Sequence, residues 1–301
     1  MLWIPWALAA AINLDGMSWK VPAAEAFLPY AAAATAAVLV LAALARARAA
    51  AAIALIGLLI LVAPRVGRAT ADPQPAARGP VITVATSNIY VGEADTAALT
   101  RLVRTRHIDI LAIEENTPES DAAARRAGLR RLLPHGFSTP DPRPGAAGLA
   151  LWSRWPIDRI APAPGDHRSL GGLIHIPGAA PIHVRAVHPP PPFNAGNMPC
   201  WQRCTRAFTS AQHATGNAIL AGDYNATLDH HPLRALLRSG YRDAAEQSGI
   251  AWRPTWTNGS WAHLTIDHIL VTPRIAVLGV TTHDLAATDH DVVVTRLRLP
   301  Q

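Results

Sequence analysis

The pattern of apolar and polar positions divides the chain into two unlike parts. Residues 26–45 are twenty consecutive positions without a charge, and a second uncharged run covers residues 49–64. The first run is as long as a helix that crosses a bilayer, and the second is somewhat shorter. From residue 81 onward the pattern changes to short β-branched or alternating runs that end in glycine or polar residues. Such runs are typical of strands in an α/β domain.

The apolar runs predict a membrane anchor. Residues 46–48 join the two runs and leave no room for another element, so we expect a hairpin. Residues 1–14 are also apolar but would reach only about 21 Å as a helix. We expect them to be the end of a first span that begins further upstream, or an interfacial helix. The alternative, buried helices of a soluble core, is disfavoured because residues 26–45 have no polar face.

These runs also set the expected domain boundaries. We expect anchoring helices in residues 1–64, a proline-rich linker in residues 65–80 and the main domain in residues 81–301. Two arginines in the short loop 46–48 favour a cytoplasmic position for that loop, because short cytoplasmic loops are enriched in Lys and Arg. The sequence therefore predicts a protein of the cell membrane whose main domain lies outside the cytoplasm.

Polar side chains follow the first two strand-like runs of the main domain. Asn88 ends the first run, and Glu114 and Glu115 end the run that begins at residue 109. The helical spacing over residues 94–106 between them predicts a βαβ unit with parallel strands. Asn88 and one glutamate should then emerge at the same sheet edge. Successive strand residues face opposite sides, so only one of the two glutamates can face a shared site.

Later strands carry polar groups in the same positions. The candidate groups at their ends or entrances are His188, Asp223, Asn225, Asp267, Asp289 and His290. A carboxylate serves as acceptor or base, whereas an Asn amide both donates and accepts. A histidine beside an aspartate can be oriented and charged by it. If these strand ends meet, the sequence predicts one polar site.

Composition and charge narrow the class of partner. The chain has 27 basic and 21 acidic residues, a net charge of +6. From Gly79 onward, 21 Arg stand against 18 Asp and Glu, which leaves +3 for the main domain. That excess is compatible with a phosphate-bearing substrate but is far from the dense basic patches of dedicated nucleic-acid-binding proteins. Four arginines between residues 125 and 131 are more typical of a solvated helix face.

Three further features have local interpretations. The two cysteines, Cys200 and Cys204, are too few for a four-ligand zinc site. The sequence leaves open whether they are two free thiols or form one local disulfide. A tryptophan-rich loop around Trp256 would pack at the core edge, stack on substrate or lie at a membrane interface, and we take Trp256 as a candidate substrate contact. Asp229 and Pro232 predict the cap and first turn of a helix.

The ordered set of polar motifs resembles the endonuclease/exonuclease/phosphatase superfamily of DNase-like, metal-dependent phosphoesterases. The resemblance covers about residues 80–300 and depends on six short motifs: SNIY (87–90), EEN (114–116), VHP (187–189), GDYN (222–225), IDHI (266–269) and TDHD (288–291). It implies an α/β (α+β) fold, a four-layer sandwich of two packed mixed β-sheets flanked by helices. In this chain transmembrane helices would precede that fold.

The resemblance implies a metal site. Glu115 looks like the principal ligand of Mg²⁺, for which Mn²⁺ is a possible substitute, with Asn88 beside it and Asp289 completing the metal side. Hard oxygen ligands of this kind suit Mg²⁺, which keeps several waters when bound. The family's usual Gln before the metal-binding Glu is Glu114 here, which would add charge near the metal.

The resemblance also implies catalytic roles. Asp223 would orient or deprotonate the attacking water, and Asn225 would hold a phosphate oxygen of the substrate. His290, steered by Asp267, would lie against the phosphoryl group. His188 would be the second histidine, on the leaving-group or phosphate side, and would also contact substrate.

The function implied is a membrane-anchored, Mg²⁺-dependent phosphoesterase that hydrolyses a phosphodiester or phosphomonoester by in-line attack of an activated water. Its substrate would be a nucleic acid or a phospholipid or phosphoinositide headgroup, and its membrane contact would be the N-terminal helices; no protein partner is deducible. Tyr90 stands where some DNA-repair members carry an acidic residue, which argues against a repair role. The alternative is a catalytically silent, membrane-tethered binding module, which the retained carboxylates and histidines disfavour.

Overall fold

The strands of the main domain each have an apolar face to bury, and they do so in two six-stranded sheets that pack face to face. This arrangement is seen in a computed structural model that describes residues 18–143, 147–162, 165–166, 168–208 and 216–301. The strands are β1 (Val81–Asn88), β2 (Ile110–Glu114), β3 (His135–Thr139), β4 (Leu149–Ser153), β5 (Ile157–Ile160), β6 (Ser169–Ile174), β7 (Ile182–Val187), β8 (Ala218–Asp223), β9 (Arg242–Asp243), β10 (Trp256–Thr257), β11 (His263–Leu264), β12 (Asp267–Val271), β13 (Ala276–His283) and β14 (Val292–Arg298).

Helices flank the sheets and precede them. They are α1 (Lys20–Glu25), α2 (Leu28–Leu44), α3 (Arg48–Val62), a 3₁₀ helix (Ala63–Ala69), α4 (Thr96–Thr105), α5 (Pro118–Arg126), α6 (Leu129–Leu132), α7 (Met198–Ala207), α8 (His231–Arg238) and α9 (Ala244–Gln247). The predicted helix between the first two strands is α4, which begins where the Asp95 carboxylate accepts hydrogen bonds from the N–H groups of Ala97 and Ala98.

Each sheet is mixed and has a parallel pair of strands at its centre. The first sheet has the order β13-β14-β1-β2-β4-β3, and the second has the order β5-β6-β7-β8-β12-β9. The pairs β1/β2 and β7/β8 are parallel, whereas their neighbours are antiparallel. As predicted for a βαβ unit, β1 and β2 end at one edge of their sheet. β7 and β8 likewise end at one edge of the second sheet.

Apolar side chains form three buried layers, one between the sheets and one on the outer face of each. The middle layer includes Ile82, Val84, Ile110, Leu151, Val184, Ile219 and Ile269. The layer between the first sheet and its helices includes Leu99, Val103, Leu111, Ile113 and Val294. The layer outside the second sheet includes Trp201, Phe208, Leu220, Leu233, Leu236 and Leu270. Alternate residues of one strand enter different layers, which is the period-two pattern the sequence predicted. The helix–sheet–sheet–helix sandwich is therefore confirmed.

The N-terminal apolar runs form a helical hairpin of α2 and α3. The continuous helical stretch Arg48–Ala69 has 22 residues, and an 18-residue window within it has a mean hydropathy of 2.3, so the stretch meets the length and composition of a membrane span. α2, at 17 residues, is apolar but shorter than the predicted run 26–45. Large apolar side chains of both helices are exposed, among them Val38, Leu41, Leu44, Ile56 and Leu59. Residues 1–14, predicted as a partial span, lie outside the described residues.

Part of the segment predicted as a linker is structured against the main domain. The 3₁₀ helix continues directly from α3, and the Asp72 N–H donates to the Gln247 carbonyl oxygen 3.0 Å away. Asp229 was predicted to cap the next helix, but the cap position of α8 is His230. Asp229 instead pairs with Arg65 and Arg68 of the 3₁₀ helix, because their buried guanidinium groups need a carboxylate. Pro232 lies in the first turn of α8, as predicted.

Two other sequence features are ordinary parts of the fold. The Arg125 side chain pairs with Asp121 one helical turn away, and both Arg125 and Arg130 lie against the ring of Trp152. Cys200 and Cys204 are thiols on one face of α7, with their sulfur atoms 2.8 Å apart and no disulfide between them.

Candidate active site

The polar strand ends of both sheets meet at one cleft. Asn88 and Glu115 come from the ends of β1 and β2, and Asp223 comes from the end of β8. Asp267 at the start of β12 is the direct antiparallel partner of Asp223. His290 lies in the turn before β14 and contacts Asp267. The structure thus brings together side chains separated by about two hundred positions.

Asn88 joins the carboxylates of the two sheets. Its Nδ2 atom donates to Glu115 Oε1 and to Asp223 Oδ2, both at 3.1 Å. Its Oδ1 atom accepts from the Tyr90 N–H at 3.0 Å. The Val91 N–H donates to Glu115 Oε2 at 2.8 Å, which fixes the second oxygen of that carboxylate. In this arrangement the Asn88 amide holds Glu115 and Asp223 in place, and its role as a metal ligand stays a prediction.

Glu115 occupies a backbone conformation that few residues adopt. Its φ is +59°, in the left-handed region, and so is the φ of Asn225 at +48°. Asn tolerates this region, whereas Glu rarely occupies it. Non-glycine residues held there are concentrated at functional sites, because the surrounding structure must offset the strain.

His290 and Asp267 form a buried pair. His290 Nδ1 lies 2.9 Å from Asp267 Oδ2 and 3.1 Å from Oδ1, as predicted for a histidine steered by an aspartate. The Thr255 hydroxyl donates to Asp267 Oδ2 at 2.6 Å, and the Asp267 N–H donates to the same hydroxyl oxygen. His290 Nε2 is left 3.8 Å from Asp223 Oδ2.

Burial and neighbouring charge shift the protonation of three groups. Burial raises the pKa of Asp223 to about 7, and the Asp267 charge adds to this rise. For His290, burial alone would lower the pKa, but Asp267, Asp223 and Asp289 outweigh it and raise the pKa to about 10. For His188, burial lowers the pKa to about 3, helped by the charges of Arg168 and His290. At neutral pH His290 is therefore an imidazolium and His188 is a neutral imidazole.

Asn225 and His188 both lie beside Asp223. The Asn225 N–H donates to Asp223 Oδ1 at 2.7 Å, and its Nδ2 donates to the Pro189 carbonyl oxygen at 3.0 Å. His188 follows β7, and its Nε2 lies 3.6 Å from Asp223 Oδ2 and 3.7 Å from Glu115 Oε1. Both residues therefore contact Asp223, and His188 also lies close to Glu115.

Asp289 and Trp256 form the outer rim. The indole Nε1 of Trp256 donates to Asp289 Oδ2 at 2.8 Å. Asp289 Oδ1 is buried and makes no hydrogen bond with the described residues. It lies 3.8 Å from His290 Nε2. The structure therefore places Trp256, in the tryptophan-rich loop, in the wall of the cleft.

The Glu114 carboxyl, which was expected to add charge near the metal, is more deeply buried than that of Glu115. Its Oε1 accepts from the Thr86 hydroxyl at 2.8 Å. Burial raises the pKa of Glu114 well above its ordinary value, which favours the protonated form of this carboxyl. A neutral glutamic acid has nearly the shape of the glutamine usual in the family.

The donor set fits a hard divalent cation. Glu115, Asp223 and Asp289 line one cleft, and no Arg or Lys lines it among the described residues. The oxygen of Asp289 that lacks a hydrogen bond is buried, and an orphaned carboxylate oxygen in such a position suits a cation. Ligand atoms of Asp223, Asp267 and His290 also lie within 4.8 Å of one another. Asp267, however, already uses its oxygens for His290 and Thr255, so we regard it as an orienting group.

The cleft itself has a volume of about 400 Å³ and two unlike sets of lining residues. One set is the candidate catalytic side chains, and much of the other belongs to α1 and to the Pro191–Phe193 loop. The motifs of the sequence did not reveal this second set. They also did not reveal Thr255, whose hydroxyl supports Asp267. Neither has a local signal, because both act through contacts with distant parts of the chain.

Comparison with known proteins agrees with this geometry. The family model described as endonuclease/exonuclease/phosphatase matches residues 85–290, more than half of the chain. A crystal structure of an endonuclease/exonuclease/phosphatase from Beutenbergia cavernae DSM 12333 is similar at a TM-score of 0.60 and 21% identity, over 74% of this chain and 72% of that one. No curated protein matches the chain significantly.

Two other similar structures carry DNA products. The 3' phosphatase NExo from Neisseria, bound to a product DNA hairpin, has a TM-score of 0.56 and 18% identity over 71% of this chain and 98% of that one. D. rerio TDP2, complexed with a single-strand DNA product, has a TM-score of 0.57 and 14% identity over 72% and 98%. At these identities the likeness concerns the fold. The family match covers every candidate site residue from Asn88 to His290, and the chain therefore belongs to the endonuclease/exonuclease/phosphatase family, whose members are hydrolases that act on phosphoester bonds.

Proposed function

We propose that this hydrolase is a membrane-anchored, Mg²⁺-dependent phosphoesterase that cleaves its substrate by in-line attack of an activated water. The observation that carries the proposal is the meeting of Glu115, Asp223 and the His290–Asp267 pair in one cleft. An imidazolium, a carboxylate that ionises near neutral pH and a set of oxygen ligands are together what phosphoryl transfer to water requires. A catalytically silent binding module would not need this protonation pattern.

Mg²⁺, or Mn²⁺ in its place, would be held by Glu115 and Asp289, with Asn88 beside Glu115. When bound, it supplies positive charge to a phosphate oxygen and lowers the pKa of a coordinated water. Asp223 takes the proton of the attacking water, because burial has raised its pKa to about 7.

The other side chains act on the phosphate. The Nε2–H of the His290 imidazolium donates to a phosphate oxygen, and Asn225 holds a second oxygen through its amide. His188, a neutral imidazole, lies beside Asp223 on the leaving-group or phosphate side. A phosphorus–oxygen bond forms with water, the bond to the leaving oxygen breaks, and that oxygen takes a proton from solvent. The products are an alcohol and a phosphate or phosphomonoester.

The test compares the full chain with Asp223→Ala and His290→Ala, in Mg²⁺, Mn²⁺ and chelator, on bis-p-nitrophenyl phosphate and p-nitrophenyl phosphate. We expect metal-dependent release of nitrophenol and a loss of about 10²–10³ in kcat for each variant. Asp243→Asn is the matched control, because Asp243 pairs with a buried histidine outside the cleft. Equal turnover by the wild type and both variants would indicate the silent binding module.

Membrane anchoring is supported by the outward side chains of α2 and α3. Leu41 and Leu44 are 65% and 76% exposed, and an apolar hairpin of this kind costs free energy in water but not in lipid. With loop 46–48 in the cytoplasm, the catalytic domain lies outside it. We expect the chain to stay with membranes after an alkaline wash, and an added protease to digest the catalytic domain of intact cells. Release by the wash, or full protection in intact cells, would contradict anchoring or orientation respectively.

A further inference from the structure

The apolar wall of the cleft comes largely from the chain's own N-terminal segment. Besides the polar site residues, the cleft is lined by Pro22, Ala23, Ala26, Phe27, Pro191 and Phe193, which we call its apolar wall. Phe193 is 61% exposed although it stands at the mouth of a catalytic cleft. A large exposed aromatic side chain beside a phosphate site marks a surface that an apolar group can cover.

This wall is fixed to the catalytic domain and is not a passing contact. The Pro22 carbonyl oxygen lies within hydrogen-bond distance, 2.8 Å, of the Nε2 atom of His230, the residue after Asp229. The Tyr30 hydroxyl oxygen accepts from the His263 N–H at 2.7 Å. The rings of Phe27 and Trp261 lie with their centroids 5.4 Å apart. The segment from α1 to the start of α2 is therefore held at the edge of the active site from two directions.

The same segment continues directly into the apolar hairpin. Phe27 lines the cleft, and the next residue, Leu28, begins α2. An apolar group that leaves the catalytic centre along this wall therefore moves toward α2 and the surface proposed to lie in lipid. The cleft has its polar end at the metal and phosphate side chains and its apolar end at the membrane anchor.

Charge in the cleft distinguishes between the two substrate classes. Nucleic acids are bound mainly through Lys and Arg contacts to several successive phosphates. None of the described residues that line this cleft is Lys or Arg, whereas its lining includes both phosphate-directed groups and apolar residues. The cleft therefore provides for one phosphate and one apolar group. Trp256 and Phe193 offer faces on which a base could stack, but the described lining around them supplies no Lys or Arg for further phosphates.

We propose that the substrate is an amphiphilic phosphate ester, a lipid phosphoester whose hydrocarbon chain lies along α1 and Phe193 while its phosphate meets Asp223 and His290. This inference rests on the proposed hydrolase function and adds the substrate class to it. The N-terminal segment then has two roles, since it anchors the chain and forms part of the substrate site.

A chain-length series of p-nitrophenyl alkyl phosphates, from methyl to decyl, tests the proposal. The full chain is held in an amphipathic polymer, because detergent would compete for an apolar cleft. We expect kcat/KM to rise roughly fourfold for each added methylene until the wall is covered. Phe193→Gln should flatten this rise. Leu278→Gln, an exposed apolar position on β13 away from the cleft, should leave it unchanged.

Two further sets of substrates distinguish a membrane lipid from a soluble lipid, and a lipid from a nucleic acid. A phospholipid with short chains is offered as monomers and one with long chains in vesicles, and single-stranded and plasmid DNA are offered at equal phosphate concentration. Cleavage of either phospholipid above the rate on DNA agrees with the proposal, and preference for the vesicles identifies the membrane as the source. Faster cleavage of DNA than of the decyl ester would overturn the proposal in favour of a nuclease.

The results also distinguish a failure of the lipid-substrate proposal from a failure of the proposed phosphoesterase function. Hydrolysis of the soluble esters without any dependence on chain length would refute the apolar substrate and leave the phosphoesterase standing. If no ester is hydrolysed, the proposed function fails. Calorimetric titration with alkyl phosphonates then still measures how the affinity of the cleft depends on chain length. A Kd that does not fall with chain length would then refute the substrate proposal independently.

Discussion

Asp267 Oδ2 lies 2.9 Å from His290 Nδ1 and 2.6 Å from the Thr255 hydroxyl, so the aspartate is fixed on one side and fixes the histidine on the other. Because Nδ1 faces Asp267, the other ring nitrogen, Nε2, faces the cleft. The negative charge of Asp267 also keeps His290 protonated, since it contributes to the rise of the His290 pKa to about 10. Orientation and charge of the imidazolium thus depend on one carboxylate.

Asp267→Asn should therefore change the pH dependence of the reaction as well as its rate. Without the Asp267 charge the pKa of His290 falls, so the imidazolium is lost at a lower pH. We expect kcat to fall by about 10²–10³ and the alkaline limb of its pH profile to move to lower pH. The measurement is kcat against pH for both proteins.

Asp243→Asn is the matched control for this experiment. Asp243 Oδ2 lies 2.9 Å from His268 Nδ1, and this second buried pair lies outside the cleft. Its loss should lower the melting temperature without moving the pH profile. An unchanged alkaline limb in Asp267→Asn would show that Asp267 does not hold the charge of His290.

Asp223→Asn should abolish activity and stabilise the metal-free protein. The pKa of Asp223 is about 7 in the fold, against about 4 in an unfolded chain, so the fold favours the protonated carboxyl. Its stabilising contribution is complete below about pH 4 and is lost as the pH rises through 7. We expect the variant to gain up to a few kcal/mol over the wild type across this window, and no further gain above it.

The measurement is the melting temperature against pH in chelator. Glu93→Gln serves as the control, because Glu93 is exposed and its removal should leave the pH dependence of the wild type. If Asp223→Asn melts below the wild type at pH 8, the ionised Asp223 carboxylate does not destabilise the fold. The expected higher melting temperature of the variant would show that the wild-type site gives up stability for function.

Glu114→Gln should be silent, in contrast to Glu115→Gln one residue later. Glu114 is fully buried with a Thr86 hydroxyl as its partner, and burial raises its pKa in favour of the protonated form, which an amide of the same shape can replace. We expect kcat/KM within about threefold of the wild type and no loss of stability. Glu115→Gln should reduce kcat by about 10² or more and weaken the dependence on Mg²⁺. Equal losses in both variants would mean that Glu114 acts as a charged group.

The sequence predicted the site better than its surroundings because the site residues stand at strand ends. An apolar run that stops at Gly222 and is followed by Asp223 is visible locally, and the parallel pairs of strands then determine that such ends meet. The pairing of Asp229 with Arg65 has no such signal, since 164 positions separate the two residues. The same holds for Pro22 and His230, which are 208 positions apart.

The protonation states of the two adjacent glutamates also could not be predicted from the sequence. Glu114 and Glu115 are the same residue type in adjacent positions, yet one is fully buried with a raised pKa while the other lies in the cleft. The difference arises where the strand ends, because Glu114 is the last residue of β2 and Glu115 follows it in a left-handed backbone conformation. The left-handed backbone of Glu115 likewise has no local cause, because the residue itself disfavours it.

Gly222→Ala should disrupt the site through the backbone. A Cβ at this position would lie 1.9 Å from the Val187 carbonyl oxygen, in the parallel pair β7/β8. The strands must then separate where they carry His188 and Asp223. We expect a loss of about 1–3 kcal/mol in the free energy of unfolding and at least a tenfold loss of kcat. Gly67→Ala is the control, because a Cβ there has no atom within 4 Å. Wild-type stability in Gly222→Ala would contradict the tight contact.

Asp229→Asn should release the N-terminal helical hairpin from the main domain. Asp229 Oδ1 lies 2.9 Å from Arg65 Nε and 3.0 Å from Arg68 Nη2, and all three side chains are largely buried. Burial alone would raise the pKa of Asp229, but the two arginines outweigh it and lower the pKa, so the carboxylate stays charged. Its removal leaves two guanidinium groups buried without a countercharge, which costs about 3–5 kcal/mol at such sites.

The free energy lost in Asp229→Asn should appear first as local opening, since the 3₁₀ helix joins the domain largely through this cluster. We expect trypsin to cut after Arg65 or Arg68 in the variant while the wild type resists. Asp121→Asn removes an exposed pair with Arg125 one helical turn away and should change neither stability nor cleavage by more than about 1 kcal/mol. Because α1 lines the cleft and is tied to the His230 side chain next to Asp229, opening should also lower activity on long-chain esters before short ones. A variant that resists trypsin and keeps its full chain-length dependence would show that the N-terminal helical hairpin is held by other contacts.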